Sequence, residues 1–97
     1  MLPKKLIIMK DAKRKVEEIR QIIKEYRQKK GYSQENMATI LGITQNSYHK
    51  LETGVTKMSL ERLFIINSSL DISIINLMND EEKEKLLYMA LDRLSNK

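Results

Sequence analysis

The sequence predicts an all-α fold. Three observations carry that expectation. Only one proline and three glycines occur in 97 residues, so helix breakers are few. Apolar side chains recur three and four residues apart along most of the chain, which is the spacing of a helical stripe. Ser33, Thr44, Ser59 and Asn79 each stand just ahead of such a stripe, where helix N-caps belong.

Taken in order, the first helix contains "VEEIRQIIKEYRQKKG", with Ile19, Ile23 and Tyr26 at helical spacing and Val16 and Ile22 beside them. Gly31 stops it, after Lys29 and Lys30 in the last turn. Upstream of Val16, "KLIIMK" fits an extension of this helix, a short strand or a loose segment equally well. Ser33 caps a second helix, "QENMATIL", with Glu35 in its first turn, and Gly42 ends it. Thr44 caps a third, "QNSYHKLE", which closes at Gly54. Ser59 caps a fourth with Leu60, Leu63, Phe64 and Ile66 as core positions. A short fifth helix covers about Ser73 to Met78. Asn79, with Glu82 three residues on, resembles a capping box that opens a sixth helix carrying Leu87, Ala90, Leu91 and Leu94 on one stripe.

Composition narrows the chemistry. The chain has no cysteine and a single histidine, His49, so it offers no thiolate nucleophile, disulfide or cysteine-based metal site. No nucleophile motif or glycine-rich phosphate loop is present, so the chain is not expected to be an enzyme and no metal or cofactor is expected. The apolar run Leu6 to Met9 is too short for a signal peptide and nothing approaches membrane-spanning length, so a cytoplasmic location is expected. Charge is unevenly distributed. Residues 1–30 hold 11 Lys/Arg against 4 Asp/Glu, residues 31–60 hold 2 against 2, and residues 61–97 hold 5 against 7. The net +7 of the first third points to a polyanionic partner, although a lysine-rich helix also serves as a plain solvated face.

The neutral centre, "LGITQNSYHKLETG", is the most informative stretch. Two helices of about eight residues joined by three form a helix-turn-helix. Ala38 is small where the helices cross, and Gly42 sits where the chain must turn. Met37, Leu41, Ile43, Tyr48 and Leu51 face inward to lock the pair, leaving Gln45, Asn46, Ser47, His49 and Lys50 outward. "YSQENMATILGITQNSYHKLETG", followed by "MSLERLFIINSSLDIS", resembles the DNA-binding domain of the lambda repressor and Cro family, over roughly Val16 to Met78.

That resemblance implies a five-helix lambda-repressor-like DNA-binding domain over residues 16–78, flanked by an N-terminal extension, 1–15, and an extra C-terminal helix, 79–97. It implies a duplex DNA partner read in the major groove by helix 45–52. Gln45 and Asn46 are the expected base contacts, since an amide bonds adenine bidentately, and Lys50 reaches guanine or a phosphate. Gln34, Thr44, Ser47 and Lys57 are the expected backbone contacts, with loop amides between Thr53 and Lys57. Arg27, late in the first helix, is expected to pair with Glu52, at the end of the third.

Three residues depart from the family pattern. Tyr48 replaces a smaller aliphatic, so its hydroxyl must reach the surface or find a partner. Asn67 places an amide where alanine is usual, and Asp71 follows helix four where glycine or asparagine is usual. The stripe Leu87, Leu91, Leu94 either closes the monomer's own core or forms a dimer seam or partner dock. The expected function is a transcriptional regulator, a repressor acting as a homodimer on a palindromic operator. The alternative is the antitoxin of a toxin–antitoxin pair, with a terminal segment masking a protein toxin.

Overall fold

A computed structural model describes residues 3–96; Met1, Leu2 and Lys97, which the expected terminal segments include, lie outside the described residues. The described chain is all-helical: α1 (Lys4–Lys29), α2 (Gln34–Leu41), α3 (Gln45–Thr53), α4 (Leu60–Leu70), a 3₁₀ turn (Ile74–Leu77) and α5 (Asp80–Ser95). The expected fifth helix of the domain is the 3₁₀ turn.

The segment left open in the sequence, "KLIIMK", is helix. α1 runs unbroken for 26 residues, about 39 Å, with Pro3 as its N-cap. Proline suits a helix start because its missing N–H would be unpaired there anyway. The C-terminus of α1 closes on Gly31 at φ +76°: the Gly31 amide bonds Gln28 O and the Tyr32 amide bonds Arg27 O, both at 3.0 Å. The same pair of bonds ends α2, where Gly42 at φ +69° lets Ile43 N return to Ala38 O at 3.0 Å and the chain turn into α3.

N-caps operate where the sequence places them. Ser33, Thr44, Ser59 and Asn79 each accept from the backbone N–H three residues on. The Asn79–Glu82 box is reciprocal, and Ser33 forms a similar box with Asn36.

The core gathers Ile23 of α1, Met37 of α2, Tyr48 and Leu51 of α3, and Ile66 and Leu70 of α4, all fully buried. Ala38 is buried where α2 meets α3. Ile72 and Leu77, flanking and within the 3₁₀ turn, close the bottom of the core.

Two expected core residues of α4 are on the surface: Leu60 is 73% exposed and Phe64 62%. Leu63, Ile66 and Leu70 define the buried stripe. At 100° per residue, Leu60 and Phe64 fall about 90° and 130° to one side of its centre. Asn67 lies beside that stripe with its Oδ1 buried and unpaired. Asp71 takes the left-handed conformation, φ +54°, that a glycine would otherwise supply, and accepts from Lys30 Nζ at 3.0 Å.

Neither terminal arm belongs to this core. No residue of α5 is buried, so the Leu87, Leu91, Leu94 stripe does not close the monomer's own core. Residues 4–14 of α1 are likewise exposed. The radius of gyration, 16.3 Å, exceeds the ~12.5 Å of a compact domain of this length. The two arms account for the excess.

Candidate nucleic-acid interface

α3 starts at Gln45 because Thr44 caps it. Thr44 Oγ1 accepts from Ser47 N at 3.1 Å and donates to Ser47 Oγ at 2.8 Å. Met37, Tyr48 and Leu51 hold the opposite face in the core, so Gln45, Asn46, Ser47, His49 and Lys50 are left exposed, as the spacing predicts.

Gln34, at the start of α2, lies beside this face. Its side chain donates from Nε2 to Glu52 Oε1 at 3.3 Å, and its Oε1 lies 3.3 Å from His49 Nδ1. Gln34, Gln45, Asn46 and His49 together line an open cleft of about 450 Å³. The structure thus brings together the first residues of both helices of the motif. Lys50 lies outside this cleft, one turn further along α3, and Lys57 stands apart on the loop that follows.

The roll of α3 is set from behind. Arg27 Nε and Nη2 donate to Glu52 Oε2 and Oε1 at 2.8 and 2.9 Å, while Nη1 donates to Tyr32 O at 2.8 Å. Arg27 and Glu52 are 7% and 6% exposed, so water competes little for either. The hydrogen bonds with Glu52 hold the guanidinium above its ordinary pKa. Burial pushes the Glu52 carboxyl upward, but the bonds from Arg27 and Gln34 outweigh it and leave the pKa lowered.

Tyr48 does not do what the sequence requires of it. It is fully buried, and its hydroxyl makes no hydrogen bond of good geometry. Burial first, and the neighbouring Glu52 carboxylate second, drive its pKa well above the ordinary phenol value.

Arg20 is a positioning residue that sequence reasoning missed. Its Nε donates to Leu51 O at 3.2 Å, so an α1 cation satisfies a carbonyl in the last turn of α3 and complements that helix end's negative dipole. Arg20 and Lys24 also line a second cleft with Gln34, His49 and Thr53, next to the first. No local signal marks the bond from Arg20 to α3, because Leu51 lies 31 residues away. In the loop after α3, the Thr56 amide is already taken by Lys50 O at 3.2 Å and is not free for a phosphate.

A helix of amides and hydroxyls, exposed along one face and braced on the other by a second helix across a tight turn, is the reading unit of a helix-turn-helix domain. A family model described as "Helix-turn-helix" matches residues 23–77. The chain belongs to that family, in its Cro/CI form. It is similar to an uncharacterized HTH-type transcriptional regulator, YqaE, of Bacillus subtilis (strain 168), with 36% identity over 74 residues, covering 76% of this chain and 64% of the relative. It is also similar to an SPbeta prophage-derived uncharacterized HTH-type transcriptional regulator, YonR, of the same organism, with 41% identity over 51 residues, covering 53% and 47%. The chain therefore spans about half to just under two thirds of the curated relatives it matches. No solved structure matches it significantly.

Proposed function

We propose that the chain is a sequence-specific duplex DNA-binding transcriptional regulator, a repressor that reads the major groove with residues 45–52. The observation that carries this reading is the cleft shared by Gln34, Gln45, Asn46 and His49, on a helix whose roll is held by the Arg27–Glu52 pair. Gln45 and Asn46 present free amides for base edges, and Lys50, a turn further along, reaches a guanine or phosphate. Gln34, Thr44, Ser47 and Lys57 bond phosphates, which fixes register without reading sequence. Lys24 adds positive charge at the rim of this face, while the charge of Arg20 is paired with Glu17 at 2.6 Å.

One such helix reads only a few base pairs. A homodimer with its two reading helices one helical turn apart, about 34 Å, would read a palindromic operator with far better selectivity. Membership of the family and similarity to two proteins named as transcriptional regulators support the reading. Among the described residues, no helix is long and apolar enough to cross a membrane. This agrees with work on cytoplasmic DNA.

The test is selection from a pool of random duplexes with wild type and Gln45→Ala. Wild type enriches a two-fold symmetric site, and the variant loses its preference at one position of each half-site. If both proteins enrich identical sites, Gln45 does not read a base.

A second reading is favoured by the two uncovered arms: an antitoxin that binds DNA through the same domain and masks a protein toxin with a terminal segment. A stoichiometric partner protein retained through purification from the native host is its expected sign.

A further inference from the structure

The apolar stripe that anchors α1 does not stop where the domain stops. Met9, Ala12, Val16, Ile19, Ile23 and Tyr26 follow alternating steps of three and four, the spacing of a helix that packs lengthwise against another. Ile19, Ile23 and Tyr26 meet the domain core. Met9 and Val16 are 49% and 44% exposed. The stripe then opens onto a groove of about 600 Å³, lined by Ala12, Val16, Gly54 and Met58 and flanked by Lys13 and Lys57.

The second uncovered stripe is on α5, where Leu87, Ala90, Leu91 and Leu94 share a face and the three leucines are at least half exposed. One side-chain bond ties α5 to the rest of the described chain: Lys15 Nζ to Glu82 Oε1, at the base of the helix. Beyond that point α5 leaves α1, and the two stripes face solvent.

Their charges are opposite. Residues 4–15 hold six Lys/Arg and one acid, whereas residues 80–95 hold five acids and three Lys/Arg. Pairing α5 with α5, or the α1 arm with the α1 arm, brings like charges together. Pairing α5 with the α1 arm brings opposite charges together and matches two apolar stripes. The Lys15–Glu82 bond is one instance of that attraction, and it holds the Glu82 carboxyl below its ordinary pKa.

We propose that the uncovered arms form a reciprocal interface between two copies of this chain, α5 of each lying along the N-terminal half of α1 of the other. This deepens the dimer reading given above and rests on it. The arrangement is isologous and closed, so it yields a discrete dimer rather than a filament. The two arms together supply about as many residues as one side of a standard interface, roughly 20–30.

Charge-reversal complementation tests it. One variant carries Lys5→Glu, Lys10→Glu and Lys13→Glu on α1, which turns residues 4–15 from net +5 to −1; the other carries Glu81→Lys and Glu84→Lys on α5, which turns residues 80–95 from −2 to +2. None of the five residues is buried, so the domain fold is retained and circular dichroism checks it. Sedimentation equilibrium should give a wild-type dimer and self-association at least about tenfold weaker for each variant alone. An equimolar mixture should restore dimerisation, because both reciprocal contacts then join opposite charges.

A wild type that stays monomeric overturns the proposal and leaves the arms to another protein. An α1 variant that dimerises like wild type overturns it in favour of an α5–α5 seam. Failure of the mixture to recover also overturns it. Gln45-dependent binding of a half-site duplex by the separate variants keeps the DNA reading apart from this result: its persistence when dimerisation fails condemns the interface alone.

Discussion

Arg27 and Glu52 meet as a two-bond fork, Nε to Oε2 at 2.8 Å and Nη2 to Oε1 at 2.9 Å, across 25 residues of sequence. The pair joins the last turns of α1 and α3, and Gln34 on α2 bonds the same carboxylate at 3.3 Å. Three helices of the domain are thereby tied at one buried charge. A buried pair of this kind contributes orientation more surely than net stability, because desolvation of both ions offsets much of their attraction.

Removal of one partner is therefore worse than removal of both. Arg27→Met leaves Glu52 charged and buried, and should cost about 3–5 kcal/mol in urea unfolding. The double variant Arg27→Met, Glu52→Leu should recover most of that loss. Its affinity for the selected operator should still fall, because the roll of α3 is no longer fixed. Equal stability of the single and double variants would argue against a buried, mutually dependent pair.

The same carboxylate sets an acid limit. The folded pKa of Glu52 is lowered, so its contribution is fully present above its unfolded value, 4.5, and is lost as pH falls through the folded value. Stability should hold between pH 7 and about 5 and decline below. The double variant should decline less steeply over the same range. Parallel curves would mean that other carboxyls govern acid unfolding.

Tyr48 sets an alkaline one. Its folded pKa is raised above the ordinary 10.0, so its contribution is complete below that value and is lost as pH rises beyond it. Tyr48→Phe should remove this loss. At neutral pH the substitution should change stability by no more than about 1 kcal/mol, on the favourable side, because the hydroxyl it deletes has no partner. Destabilisation beyond that range at pH 7 would indicate a hydrogen bond to the hydroxyl in solution.

Lys57 and Gln45 should separate by their salt dependence. Lys57→Ala should weaken binding to every duplex alike and reduce the slope of log affinity against log salt by about one per protomer. Gln45→Ala should leave that slope unchanged and cost about 1–3 kcal/mol on the cognate site alone. Titrations of cognate and scrambled duplexes at several salt concentrations measure both.

The elements of this fold are local events, and so they were legible in the sequence. Ser33, Thr44, Ser59 and Asn79 cap helices through bonds three residues long, and Gly31 and Gly42 end them within five. The outward face of α3 follows from the same logic, since alternation around one short helix separates Met37-facing residues from Gln45, Asn46 and Lys50. Arg27 and Glu52 bond across 25 residues of sequence, and only family likeness, not any local pattern, connects them.

What the sequence leaves open depends on contacts between distant segments. Leu60 and Phe64 satisfy the spacing of a core stripe but lose their place because the stripe of Leu63, Ile66 and Leu70 is narrower than hydrophobicity alone suggests. Arg20 braces α3 from a position that carries no mark in its neighbourhood. The stripe on α5 reads equally well as core or as interface, because periodicity shows which residues share a face and not what lies opposite. Only the tertiary structure decided that: once α5 leaves α1 beyond the Lys15–Glu82 bond, its leucines have nothing among the described residues to cover them.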